Sequence, residues 1–330
     1  MKKTRKTVLA MMLAIAMCVV LLAGCGDSNE ADDEMFTIGI IQLMDHVALQ
    51  ATFDGIVNAL AAGGYVEGEN LTILYDNAHG DISTLSTIAD RFVTHGVDLV
   101  ISISTPATQA IAARTDTIPI LGTAVTSFVV ADLVDSNELP GGNISGVSDM
   151  NPVRAQIDLI VELVPDVQTI GLIYNAGEAN SVFQIELAKE NIEALGLDWH
   201  EVTVTDTGDV MQAMQSLVGR VDAVYIPTDN TVAAAMAAVH SVAMESGTPV
   251  ICGEAGMVRA GGLATLGIDY YDLGWETGRM AIEVLHGANP GEMPIRFAPD
   301  NYTVTINGLV AEEIGFTVPE RFLDYVIIPE

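Results

Sequence analysis

The chain has 330 residues, half of them hydrophobic, and carries 44 Asp and Glu against 13 Lys and Arg, a formal net charge of −31 at pH 7. So acidic a surface repels phosphate backbones and anionic headgroups, which excludes nucleic acid as a partner. The length suits one large or two medium domains with ample core.

Residues 1–6 are basic through Lys2, Lys3, Arg5 and Lys6, and residues 8–22 are apolar. That is the n-region and h-region of a secretory signal, too short for a spanning helix. The run ends in Leu22-Ala23-Gly24-Cys25. Small residues before a cysteine resemble a lipobox, whose cysteine is lipid-modified and becomes the new N-terminus. The expectation is a lipoprotein signal over residues 1–24, lipidation at Cys25 and an acidic tether to residue 35, leaving the protein extracytoplasmic and anchored to the cell membrane. Loss of four basic residues with the signal takes the charge from −31 to −35, with Lys189 the only lysine left. Cys18 leaves too, so Cys252 has no partner for an intrachain disulfide.

From residue 36 the body alternates. Residues 36–43 read as a strand, 46–62 as a helix, 71–76 as a strand, 82–95 as a helix, 99–104 as a strand, 106–114 as a helix and 118–121 as a strand. A looser stretch from 123 to 146 holds the turn signal Pro140-Gly141-Gly142-Asn143. A strand at 144–148 leads into a second series: helix 153–164, strand 170–174, helix 182–195, strand 199–204, helix 210–218, strand 223–226, helix 231–246 and strand 250–252. A long helix at 272–286 and a late strand at 302–306 follow. Alternation at this spacing predicts parallel sheets. The expected fold is α/β, with two Rossmann-like doubly wound parallel-sheet lobes joined by a multi-strand hinge. Lobe 1 is expected over 36–147 plus about 270–296, and lobe 2 over 148–269 plus about 297–330. A cleft between such lobes gathers the strand-end loops of both.

One stretch carries the most chemistry: residues 169–181, TIGLIYNAGEANS, run from a buried strand through a polar turn into a helix. The carboxyl ends of parallel strands are where open α/β sheets hold ligands. This turn supplies Asn175, Glu178, Asn180 and Ser181; similar units at 98–109 and 223–230 supply Ser102, Ser104, Thr105 and Pro106, and Asp229 and Asn230. Gln42 and His46 end the first strand, Thr126 lies in the loose region, and Asp269 precedes the last long helix. Asp229 and Glu178 are placed to accept from an ammonium group, and the helix start at Pro106 to hold a carboxylate without an arginine. Those two functions together suit a free amino acid. Phe128, Phe183, Tyr270, Tyr271 and Trp275 are candidate stacking partners for an aromatic one. Plainer alternatives stand beside these: Ser181 and Thr105 as N-caps, Asp229-Asn230 as a capping turn, His46 as a surface histidine, Asp269 as a helix cap, and the aromatics as core.

Catalytic patterns are absent. There is no Gly-rich phosphate loop with its lysine, no GxGxxG, HExxH or CxxC, no nucleophile elbow, and the six histidines lack metal-ligand spacing. No enzyme activity, cofactor or metal is expected. The strings GIIQLMDH, SISTPATQA, TAVTSF, GNISGVSD, IYNAGEANS, YIPTDNTV and GIDYYDLG occur in that order between about Phe36 and Phe322. They resemble a family of bacterial ABC-importer substrate-binding lipoproteins associated with tryptophan, tyrosine and other aromatic amino acids. The resemblance implies a type I periplasmic-binding-protein fold, a ligand in the interlobe cleft, no catalysis, and delivery to a membrane permease with its ATPase. Where that family commonly has an acidic residue and a proline after AVT, this chain has Ser127 and Phe128. One cleft per chain suffices, so a monomer is expected. A sensory receptor of the same fold, signalling to a membrane partner, is the alternative.

Overall fold

The computed structural model describes residues 35–298 and 302–329; the signal, lipobox and most of the acidic tether lie outside the described residues. Residues Phe36–Glu330 make up one compact unit. The first series runs β1 (Phe36–Gln42), α1 (Val47–Ala62), β2 (Leu71–Asn77), α2 (Ile82–His95), β3 (Leu99–Ile103), α3 (Thr105–Ala112), β4 (Ile120–Val125), β5 (Ile144–Ser148). The second runs α4 (Val153–Leu163), β6 (Thr169–Asn175), α5 (Ala179–Ala194), β7 (Asp198–Val204), α6 (Val210–Leu217), β8 (Ala223–Ile226). It continues through α7 (Asn230–Ala234), α8 (Met236–Ser246), β9 (Val250–Cys252), α9 (Ala255–Arg259) and β10 (Ala264–Gly267). Last come α10 (Tyr270–Leu285), β11 (Arg296–Phe297), β12 (Thr303–Asn307), α11 (Gly308–Glu313) and β13 (Val326–Ile327).

Two sheets result. The first has the order β11-β5-β4-β3-β1-β2 and the second β13-β12-β10-β9-β8-β6-β7. Among the described residues every strand pairing is parallel except β10 with β12. The central strands are fully buried; β3, Leu-Val-Ile-Ser-Ile, is the type of apolar run that helices on both faces require. The α/β architecture with two parallel-dominated sheets is the one expected from the alternation. The chain passes between the sheets three times, from β5 to α4, from β10 to α10 and from β11 to β12. Thus α10 returns to the first sheet, where it packs along α1. Gly55, Gly274 and Gly278 let the two helices touch: a Cβ on Gly274 would collide with the Thr52 carbonyl, and one on Gly55 with the Tyr271 carbonyl.

The structure differs from the expected elements in identifiable places. The single helix read over 231–246 is two, α7 and α8, separated at Ala235 (φ −112°, ψ 18°). No Gly or Pro marks that break. The start of α7 is held by carboxylates from neighbouring loops, while α8 packs on α6. β4 runs on through Gly122 and Thr123 to Val125, with a bulge and Ala124 at φ 52°. The short α9, β10 and α11 carry no sequence signal, because four to six residues show too little periodicity.

Candidate functional site

Loops at the carboxyl ends of β1 and β4 meet those of β6, β8 and β9. His46 Nε2 lies 3.2 Å from Asn230 Oδ1, joining the start of α1 to the start of α7. Gln184, one turn into α5, donates to Thr228 Oγ1 (2.5 Å) and to Thr126 Oγ1 (3.3 Å). Between these contacts is a central cavity of ≈ 10 Å³, lined among others by His46, Asp149, Asp229, Asn230, Glu254 and Tyr270. That is room for about one water, so the two sides are drawn together. A space of ≈ 480 Å³ adjoins it and shares Glu254 and Tyr270. Another of ≈ 380 Å³ lies between Pro106 on one side and Asn175 and Glu178 on the other.

Helices point their N-termini into this junction because each follows the carboxyl end of a parallel strand. On the second sheet α7 and α9 are capped by carboxylates, Asp229 accepting from Val232 N (2.8 Å), and Glu254 from Met257 N (2.8 Å) and Gly256 N, while α5 starts without a side-chain cap. On the first sheet, α1 starts without a side-chain cap, and α3 has Ser104, whose hydroxyl accepts a long bond from Ala107 N (3.3 Å). Ser104 holds φ 110°, a conformation that an L-residue keeps only when its surroundings impose it. Helix N-termini without a side-chain cap, those of α1 and α5, thus lie beside buried carboxylates in the junction.

Several buried acceptors here receive no donor: Gln42 Oε1, Asp149 Oδ1 and Asn180 Oδ1. Their amide nitrogens are engaged, Gln42 Nε2 with Met44 O (2.9 Å) and Asn180 Nδ2 with Thr228 O (2.9 Å), which fixes which end of each amide is the oxygen. Thr105 Oγ1 and His46 Nδ1 are also unpaired. A buried unsatisfied acceptor costs about 1–3 kcal/mol, so this is a junction built to receive donors from elsewhere.

The other sequence candidates are placed as follows. Asn175 donates its backbone N–H to Asp229 (2.6 Å) and its amide to Thr231 (2.8 Å). Glu178 is fully engaged, accepting from the backbone and side chains of both Asn230 and Thr231, so it is a staple between two loops rather than a free ammonium acceptor. Ser181 is buried against Asn180. Ser102 does not reach the junction: its hydroxyl pairs with Thr108 (2.8 Å), because alternate residues of β3 face opposite sides and this one faces α3. Asp269 is an exposed cap of α10, accepting from Tyr271 N (2.7 Å). Of the aromatic candidates only Tyr270 lines the central cavity. Phe128 is buried in the first core, and Tyr271 pairs with Trp275 at 6.2 Å between ring centroids.

Sequence reasoning missed Asp149, Gln184, Thr228 and Glu254. Asp149 and Glu254 follow strands as Asp229 does, but α9 behind Glu254 is five residues long, and the segment behind Asp149 crosses to the other sheet. Among the described residues no cluster of three His, Cys, Asp or Glu is arranged to hold a metal ion.

Burial governs the electrostatics. It raises the Glu254 carboxyl to about 7, with Asp149 adding to the effect and two backbone N–H donors opposing it. Burial, reinforced by Glu178, raises Asp229, and burial raises Asp149 against the hydroxyls of Tyr270 and Thr126. Burial lowers His46 to about 4, opposed by Asn230 and Asp45. A raised carboxyl makes the folded state hold extra protons below its folded value, so stability rises as pH falls from about 7 toward the ordinary carboxylate range; the lowered His46 opposes this below about 6.5. Carboxyls outnumber the single imidazole, and His46 is only partly buried. The ligand-free protein is expected to gain about 1.4 kcal/mol per pH unit for each net proton between pH 7.5 and 6. Urea midpoints at those two pH values check this; a lower midpoint at pH 6 contradicts it.

The model of the ABC transporter substrate binding protein family matches residues 37–327. The chain belongs to that family. Its members bind ligands outside the cytoplasm and are not enzymes. A tyrosine-binding protein from Clostridioides difficile is 39% identical over 300 residues, covering 88% of this chain and 87% of its own. A Streptococcus domain solved with L-Trp is 37% identical, covering 89% of this chain and all of its own, with a TM-score of 0.85. A ligand-free, open substrate-binding protein with adhesive properties from Clostridium difficile is 39% identical, covers 90% and 100%, and gives 0.68. At similar identity and coverage, the present conformation is thus nearer the ligand-bound structure than the open one. More distant solute-binding proteins, under 20% identical, share the type I periplasmic-binding fold. Among the described residues no helix is long and apolar enough to cross a membrane.

Proposed function

We propose that this chain is the solute-binding lipoprotein of an ABC importer, anchored through Cys25, which captures a free aromatic amino acid between its two sheets. Closure over the ligand presents it, as a monomer, to the permease and ATPase. The observation that carries the reading is the mixture of groups in the junction: buried acceptors and carboxylates beside uncapped helix N-termini are the complement of a zwitterion. The ammonium faces the carboxylates that line the central cavity. The carboxylate faces the first turns of α1 and α3, near His46, Thr105 and Pro106. Gln42, Thr126, Asn180 and Asn230 supply the surrounding hydrogen bonds, and the adjoining space of ≈ 480 Å³ offers room for a large side chain. The tyrosine-binding relative and the L-Trp-bound neighbour favour an aromatic one. Ligand contacts made only when the sides are together favour the closed state.

A thermal-shift panel of the twenty amino acids tests this. A ligand that binds only the folded protein adds roughly 2.7 kcal/mol at a hundredfold excess over its dissociation constant. Selective shifts with tryptophan, tyrosine or phenylalanine are expected. No shift with any amino acid, on protein stripped of carried-over ligand, would sink the specificity.

A further inference from the structure

We infer that Asp149 holds the ligand's ammonium group, and that its place on the crossover couples ligand capture to closure; this rests on the amino-acid reading above. Three carboxylates line the central cavity. Those of Asp229 and Glu254 have a backbone donor on each oxygen, from Asn175 and Val232 and from Gly256 and Met257. Asp149 differs. Its Oδ2 accepts from the Tyr270 hydroxyl (2.7 Å), but its Oδ1 has no donor, although the residue is only 3% exposed. The Thr126 hydroxyl faces the same carboxyl while accepting from Gln184 (3.3 Å), but it is neutral and brings no positive charge. Among the described residues no Lys or Arg pairs with Asp149: Arg259 acts on Glu254 and is itself exposed. An ammonium supplies both missing quantities, a hydrogen-bond donor and a positive charge.

The position adds a mechanical consequence. Asp149 lies between β5 and α4, on the first crossover, and its N–H donates to Val125 O (3.3 Å) at the end of β4. Tyr270 opens α10, just after the second crossover. Asn151 ties the two crossovers together by accepting from Ile268 N (3.2 Å) and donating to Asp149 O (3.0 Å). A group bound at Asp149 therefore acts on two of the three connections between the sheets, which is where a differential contact biases closure most directly.

Asp149→Asn removes the charge while keeping an acceptor for Tyr270. The wild type and this variant are titrated calorimetrically with L-tryptophan and with 3-(indol-3-yl)propanoate, which lacks the amino group, and with any other amino acid that shifts the wild type together with its deaminated counterpart. Urea unfolding checks that the variant is folded. The wild type is expected to prefer the amine by about 100-fold or more, and the variant to lose that preference while binding the propanoate within about threefold of wild type. A variant that keeps the preference overturns the inference, and so does equal loss of both ligands, which marks a purely structural hinge residue. The wild-type titrations report on the amino-acid reading itself. A wild type selective for a non-aromatic amino acid ends the aromatic reading and leaves the Asp149 comparison to be decided on that ligand. A wild type that binds no amine ends both.

Discussion

Replacing Gly274 by valine is expected to destabilise the protein by about 3 kcal/mol or more, because overpacking a tight contact typically costs about 1–3 kcal/mol and here the obstacle is backbone. In α10 an added side chain improves helix propensity over glycine, by about 1 kcal/mol for alanine and less for valine, which on an exposed face would stabilise. The contact decides the sign. A Cβ on Gly274 meets the Thr52 carbonyl, carbonyl carbon and Cα of α1, none of which can rotate aside. Separating the helices would open the core they cover, where Leu49, Ile56, Leu273 and Met280 pack with the strands of the first sheet. A Cβ alone meets the Thr52 backbone, so Gly274→Ala is also expected to destabilise, by less, and Gly278 meets Ile56 and Ala59 in the same way. Denaturant unfolding measures both; a neutral Gly274→Val shows that the helices part easily.

The second large effect is at Glu178. Its carboxylate gathers the Asn230 backbone N–H (3.2 Å), the Thr231 backbone N–H (3.0 Å), the Thr231 hydroxyl (2.8 Å) and the Asn230 amide. Glu178→Ala strands these buried donors, and at about 1–3 kcal/mol for each unsatisfied group the loss is expected to reach about 3–5 kcal/mol. Glu178→Gln keeps one acceptor oxygen and should fall between the two. Because Asn230 is also the partner of His46, the alanine variant is expected to lose ligand-induced stabilisation as well as intrinsic stability. Equilibrium unfolding with and without ligand separates these. An alanine variant within about 0.5 kcal/mol of wild type, the range of ordinary surface substitutions, contradicts the staple role.

Much of the fold was legible because its signals are local and long. β1, β3 and β6 are predominantly apolar, largely buried runs. The boundaries of α2 are written in Asp81, which caps its first turn, and Gly96, which ends it at φ 72°. The same logic located the loops that meet, since strand-end turns gather at one side of a parallel sheet. What it missed was short or non-local. The break at Ala235 has no residue that announces it, and α9 and β10 are too brief to show a period.

Residue roles inside the junction divide the same way. Asp229 was legible as a strand-end carboxylate and is one, but its two backbone donors come from different segments, which no spacing records. Glu178 has the right chemistry for an ammonium, yet packing against Asn230 and Thr231 commits both its oxygens. Ser102 sits on the right strand and faces the wrong side. The α/β alternation, the acidic surface and the polar strand-end turns follow from the amino-acid order alone, because they depend on periodicity, composition and nearest neighbours along the chain. Only the tertiary structure decided which carboxylate oxygen was left without a donor and how closely α1 and α10 approach. Those outcomes depend on contacts between segments more than a hundred residues apart, Asp149 with Tyr270 and Thr52 with Gly274, whose free energies exist only once both are in place.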